Sequence, residues 1–245
     1  MIIMLVHRDL RGRYKGSVLG FFWTFLNPML QFAVYAIVFS VIMPIKMDKY
    51  YLFLFVGFVP WFFTANSISQ GAVCILNQSN MVQKIYFPRM VLPISTVLTG
   101  FVNMLLSELV VFAVLIITGV GLTKYLLYLP VIMLVQFIFV LGIVLIVSSL
   151  TVYLRDLAHI LEIIVMAWFY ATPIVYPPDA LKDKYSLVLY VNPMAGIIEC
   201  YRDVLFYGRM PQMTTMISAV VSGILMVIIG SFVFQKLQRH FAEEL

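Results

Sequence analysis

Residues 126–154 read LLYLPVIMLVQFIFVLGIVLIVSSLTVYL, a run without a charged side chain. About 20 apolar residues carry a helix across the ~30 Å hydrocarbon core of a bilayer, so this stretch is long enough to cross with tilt. In lipid the backbone must close its own hydrogen bonds, which a helix does and an open strand does not. Comparable runs recur at 19–43, 51–76, 91–118, 157–176 and 214–234. The pattern predicts an all-α polytopic membrane protein, with six transmembrane helices in one domain over 1–245.

Composition agrees with that class. The chain is 63% hydrophobic and 11% charged, against roughly 45–50% and about 25% in a soluble domain, whose core has no room for so much apolar surface. The net charge of +5 is spread among short loops, as membrane topology requires, so it does not point to nucleic acid. Cys74 and Cys200 lie far apart in sequence and read as packing residues. The opening MIIMLV lacks a basic region and a small-residue cleavage site, so the N-terminus reads as mature.

Outside the spans, residues 1–17 form an amphipathic segment. Ile3, Val6, Leu10 and Tyr14 share one side and Arg8, Asp9, Arg11, Arg13 and Lys15 surround the other, the pattern of a helix lying in the interface. Asn27-Pro28 sits inside the first span, where proline removes a backbone donor and favours a kink. The half of the second span after Thr64 is polar, with Asn66, Ser67, Ser69 and Gln70, and should face protein or water rather than lipid. A loop at 77–90 and a segment at 177–213, too polar to span and too apolar to be a linker, complete the chain. With both ends inside, the inner loops carry nine Lys and Arg and the outer loops seven. Four basic residues precede the first span, which orients N-inside.

No phosphate-binding G-x-x-x-x-G-K-[ST], H-E-x-x-H or Cys/His cluster occurs, and His7, His159 and His240 fall at span boundaries. The chain is therefore not read as an enzyme, a metal protein or an ATPase. Without an inverted repeat or a series of buried carboxylates, a proton-coupled transporter loses ground. Glu108 lies mid-span, where a carboxyl is functional by default, or else is protonated or bonded to Asn103 or Ser107. Phe22, Trp23 and Phe25, Trp61 and Phe62, and Trp168 and Tyr170 give dense aromatic surface, which suits stacking on sugar rings and equally suits interfacial belts.

Four blocks in order, RDLRGRYKGSVLGFFWTFLNPM at 8–29, QKIYFPRMVLP at 83–93, YLRDLAHILEIIVMAWFYATPIVYP at 153–177 and NPMAGIIECYRDVLF at 192–206, resemble the membrane subunits of ABC-2-type polysaccharide exporters. That family exports O-antigen, teichoic acid or capsule-like glycans. The resemblance implies a homodimer paired with two copies of an ATP-binding subunit, which would hold ATP and Mg, in the bacterial inner or plasma membrane with both termini cytoplasmic. It implies that Arg8, Asp9, Arg11, Arg13 and Tyr14 form a gate for the anionic headgroup of a polyprenyl-pyrophosphate-linked glycan; anchoring to anionic lipid explains the same charges.

It further implies that 77–90 is a coupling helix docking on the ATPase through Lys84, Tyr86, Phe87, Pro88 and Arg89, or simply a connector. The 177–213 segment would hold two short re-entrant helices, the second begun by Asn192-Pro193 and carrying Glu199 and Arg202 as a helical ion pair in an outer gate, or a cap that only packs. The aromatics named above would line a channel at the dimer axis. The rival classes are an ABC-2 exporter of small hydrophobic compounds or lipids, and an assembly protein without transport, for which neither the polar half of the second span nor a docking loop is needed.

Overall fold

The computed structural model describes residues 1–12, 20–39, 47–121, 123–177 and 191–245, with side chains 10–12, 21, 24, 25 and 242 left aside. Arg13 and Tyr14, the side chains of Arg11 and Phe25, the end of the first predicted span and the first predicted re-entrant helix lie outside the described residues. Among the described residues the regular elements are helices: α1 Ile2–Gly12, α2 Trp23–Ile37, α3 Tyr50–Val73, α4 Ser79–Lys84, α5 Val91–Ile117, α6 Leu129–Tyr153, α7 Leu157–Ala171, α8 Pro193–Leu205, α9 Met213–Leu237 and α10 Phe241–Glu244.

Four of these, α3, α5, α6 (with its 3-10 lead-in from Lys124) and α9, are long and apolar enough to cross a membrane, while α2 and α7 are shorter and also apolar. The chain is a polytopic helical membrane protein. Its centre is α3: 78% of its most apolar stretch is buried inside the protein, against 22% for α9. Leu52, Phe53, Leu54 and Val56 of α3 form the middle of the main core with Val97 of α5, Phe139 and Val140 of α6, and Ile197, Ile198 and Tyr201 of α8. Along α9, Ile217, Val221, Ile224, Ile228 and Phe232 are exposed; such a face is stable only against lipid or another apolar surface.

α6 packs most extensively on α9, and two glycines permit the approach. A Cβ on Gly230 would stand 2.3 Å from the Gly142 carbonyl oxygen, and one on Gly142 2.4 Å from the Met226 carbonyl carbon. Small residues serve this purpose in lipid, where helices associate through close packing rather than through a hydrophobic drive.

A second core gathers Leu5 of α1, Cys74, Ile75, Val82 of α4, Leu92, Val152 of α6, Phe234 of α9 and Phe241 of α10. It draws the start of the chain, the 74–92 segment and the end of the chain to one end of the bundle. In α1 the buried residues are Leu5 and Val6, whereas Ile3 is 81% exposed. α5 packs on the Leu5 and Val6 side of α1 and leaves Ile3 and Met4 outward.

The fifth predicted span differs most. α7 stops at Ala171, not at 176, because Pro173 disfavours helical geometry at Thr172. Thr172 through Val175 are nonetheless buried, and the backbone groups released by the break find partners in α3 and α8, as set out below. The helix continues through Pro28 in α2 and through Pro60 in α3.

Candidate substrate cleft, gate and docking tip

A cleft of about 90 Å³ opens between α2, α3 and α5. Its floor is the polar half of α3, Asn66, Ser67 and Gln70, opposite Thr96, Gly100, Asn103 and Ser107 of α5. Trp23, Asn27 and Pro28 of α2 close one side, and Phe62 adds a ring. Its polar groups are only partly occupied. Asn66 Nδ2 donates to Phe62 O at 2.8 Å, Asn27 Oδ1 accepts from Gln31 Nε2 at 3.3 Å, and the Ser107 hydroxyl donates to Asn103 O at 3.0 Å. Ser67 Oγ and Asn103 Oδ1 are buried with no hydrogen-bond partner among the described residues.

Glu108, next on α5, is 1% exposed, and neither carboxyl oxygen has a hydrogen-bond partner among the described residues. The bond to Asn103 or Ser107 considered from the sequence is not formed, since the Ser107 hydroxyl is directed at the backbone one turn earlier. Near it runs a hydrogen-bonded chain that sequence reading missed. Gln136 Nε2 donates to Pro60 O at 2.7 Å and to Thr64 Oγ1 at 3.0 Å, and Tyr201 Oη donates to Gln136 Oε1 at 2.8 Å. The signal was present: Gln136 interrupts a long apolar run, and a polar side chain there requires an internal partner.

The candidate channel aromatics separate. Phe22 is 64% and Tyr170 54% exposed, with Trp23 at 39%, while Phe62 is half-buried and stacked on Phe58 at 6.0 Å. Trp61, 4% exposed, meets Trp168 edge-on at 5.6 Å. Trp61 is thus a core residue of the protomer. Trp168 is half-buried and donates from Nε1 to Asn192 Oδ1 at 3.0 Å.

The outer-gate candidates form a clasp around the broken end of α7. Asn192 Oδ1 accepts from Met194 N at 3.1 Å and so caps α8, with Pro193 at the first helical position, where its missing N–H costs nothing. Asn192 Nδ2 donates to Thr172 Oγ1 at 2.9 Å. Arg202, 1% exposed, gives its two terminal nitrogens to Pro173 O and Ile174 O, and its guanidinium lies 3.5 Å over the Phe53 ring. Tyr50 Oη donates to Val175 O at 2.7 Å. The helical ion pair with Glu199 is therefore replaced: Arg202 points across to the α7 turn, whose buried carbonyls have the greater need of donors. Glu199 itself is half-buried. Asp203, which sequence reading left without a role, pairs with Arg209 at 2.7 Å and fixes the turn into α9.

Replacing Asn192 by Ala removes a cap and three further bonds of its side chain together. The expected loss is about 1–2 kcal/mol of stability, read as a lower unfolding temperature with Trp168 fluorescence shifted red as its N–H loses its partner.

At the other end, Tyr86 is fully exposed and Ile85 57% exposed. With Lys84 and Pro88 also exposed, they form a projecting tip after α4. Phe87 is half-buried, and Arg89 turns inward, donating to Gln238 O and lying 5.9 Å over the Phe241 ring. Arg8 pairs with Asp9 at 3.3 Å and reaches Gln78 Oε1 at 3.5 Å, which places both gate candidates of α1 beside the 74–90 segment.

Long apolar helices, an amphipathic first helix, a projecting loop tip and a short capped helix before the last long one together define a multi-pass membrane protein. Residues 2–206 match the ABC-2 type transporter family, and the chain belongs to it. It is 34% identical over 247 residues to the O-antigen export system permease protein RfbA of Myxococcus xanthus, covering 100% of this chain and 95% of that protein. A Klebsiella pneumoniae protein of the same name is 32% identical over 244 residues, covering 99% and 94%.

Proposed function

We propose that this chain is the membrane permease of an ATP-driven exporter that moves a lipid-linked polysaccharide of O-antigen type out of the cytoplasm. The observation that carries the reading is end-to-end similarity to O-antigen export permeases. On this reading the helices cross the inner or plasma membrane six times, α2 and α7 included, and both termini and the 77–90 tip lie in the cytoplasm. Two copies of the chain pair with two copies of an ATP-binding subunit, which binds ATP and Mg and hydrolyses the nucleotide. The basic face of α1, with Arg8 and the arginines after it, receives the pyrophosphate headgroup, since arginine matches phosphate oxygens in bidentate geometry.

Lys84, Ile85, Tyr86 and Pro88 dock on the ATPase. An exposed tyrosine flanked by an apolar residue and a cation is the composition of an interface anchor. Tyr86→Ala is expected to weaken association with the ATP-binding subunit by about 30-fold, equivalent to ~2 kcal/mol, with an unchanged unfolding temperature because the ring touches nothing within the protomer. Biolayer interferometry on nanodisc-embedded permease reads this directly; equal affinity in the variant removes the tip from the docking surface.

The function itself is tested by reconstituting the permease and its ATP-binding subunit in nanodiscs and measuring ATP hydrolysis with a polyprenyl-pyrophosphate glycan and, separately, with lipophilic drugs. Stimulation by the glycan, lost in Arg8→Ala, supports the exporter and its basic gate. Stimulation by drugs alone overturns the polysaccharide reading in favour of a pump for small hydrophobic compounds.

A further inference from the structure

The cleft between α2, α3 and α5 is larger than packing requires and is polar where it meets the protein interior. At about 10–15 Å³ per water-sized group, its roughly 90 Å³ takes on the order of six to nine such groups, the scale of one sugar ring with some of its hydroxyls. Gly100 keeps it open: a Cβ there would stand 2.7 Å from Ser67 Oγ and 3.3 Å from the Phe63 ring.

The lining specifies a chemistry. Ser67 Oγ, on a residue 2% exposed, has no hydrogen-bond partner among the described residues, nor has Asn103 Oδ1. Leaving such groups empty costs free energy that a ligand with matching hydroxyls recovers. Asn66 spends only its NH₂ on the backbone, and Asn27 only its carbonyl oxygen on Gln31, so each keeps the opposite half of its amide. The lining therefore holds both donors and acceptors, which is the need of a polyol, whose every hydroxyl is both. Among the described residues no charged side chain lines it, which disfavours a phosphate, and its several amides disfavour a purely apolar guest. The Phe62 and Trp23 rings supply the flat surface against which the C–H face of a pyranose packs.

The geometry points to a binding site, within each protomer, for one neutral sugar ring of the exported chain. This inference rests on the export reading and adds to it a residue-level subsite that is distinct from the basic face of α1: the headgroup and the sugar are recognised in separate places by opposite chemistries.

The test uses the full-length permease in nanodiscs and saturation-transfer NMR with methyl glycosides of glucose, galactose, mannose, rhamnose and N-acetylglucosamine. At least one is expected to give a saturable signal, weakened about tenfold or more in Asn103→Leu and in Gly100→Ala. Asn66→Leu provides a third variant should either of those lower the unfolding temperature. No saturable signal with any glycoside, or equal signals in wild type and in the folded variants, overturns the site. Glycan-stimulated ATP hydrolysis in the wild type is recorded alongside. If it persists while sugar binding ignores the cleft variants, only the cleft inference falls; if the glycan fails to stimulate the wild type, the export reading falls with it.

Discussion

Gly230→Val is expected to abolish folded, monodisperse protein, the largest effect of any single substitution outside the active surfaces. The added Cβ would lie 2.3 Å from the Gly142 carbonyl oxygen, more than an ångström inside ordinary contact of 3.4–4 Å. The obstacle is backbone, which cannot rotate aside, so α6 and α9 must separate along their length. One extra methylene in a packed interior costs about 1–3 kcal/mol; here the smallest change, Gly230→Ala, should reach the upper end of that range and valine exceed it. Gly142→Ala should behave alike, since its Cβ would meet the Met226 carbonyl. Gly196→Ala is the control: its nearest neighbour is Thr215 O at 3.6 Å, and alanine improves helix propensity by up to ~1 kcal/mol. Size-exclusion profiles and unfolding temperatures in detergent measure all four. An unchanged unfolding temperature for Gly230→Val would refute the close α6–α9 contact.

Arg202→Leu is expected to cost about 3–5 kcal/mol. Two hydrogen bonds from a charged donor are lost, each worth roughly 1.5–3 kcal/mol, and their carbonyls remain buried. Arg202→Lys keeps the charge, but a compact ammonium lacks the planar fork that stacks over Phe53 while its two ends meet separate carbonyls, so it should recover only part of the loss. Denaturant unfolding gives the magnitude, and limited proteolysis should locate the weakened region after Ala171. A residue acting purely in an outer gate would instead alter transport at unchanged stability, so the two measurements together separate the roles.

The helices were legible in the sequence because lipid imposes a simple length rule. The uncharged run at 126–154 becomes α6 with its lead-in, and α5 ends where Gly119 adopts a left-handed φ of 70°, a conformation that glycine reaches without steric cost. Asn192-Pro193 as a helix start came with the family resemblance, and its capping chemistry agrees. The end of α7 was also readable, since proline at 173 argues against helix at 172; the apolar residues beyond it masked that signal. Other features were not accessible to pattern. From Leu52 to Trp61 every residue of α3 is buried, so this half has no polar face whose period could show that Trp61 points inward. The partners of Arg202 lie 29 and 28 residues earlier in the chain, whereas local spacing offered Glu199. The cleft was half legible: the polar stretch after Thr64 demanded a non-lipid neighbour, but nothing in one sequence names α2 and α5 as the other walls.

Arg89 fastens the foot of α5 to the end of α9 through Gln238 O and Phe241, and α9 is in turn wedged against α6 at the two glycines. A load applied to the 84–89 tip is therefore passed to α5, and through Arg89 and the two glycine contacts to α9 and α6. Compliance is left to α2 and α7, each held by fewer neighbours. On the docking proposed above, the work of nucleotide hydrolysis delivered at Tyr86 would enter a braced frame of three long helices rather than one isolated loop.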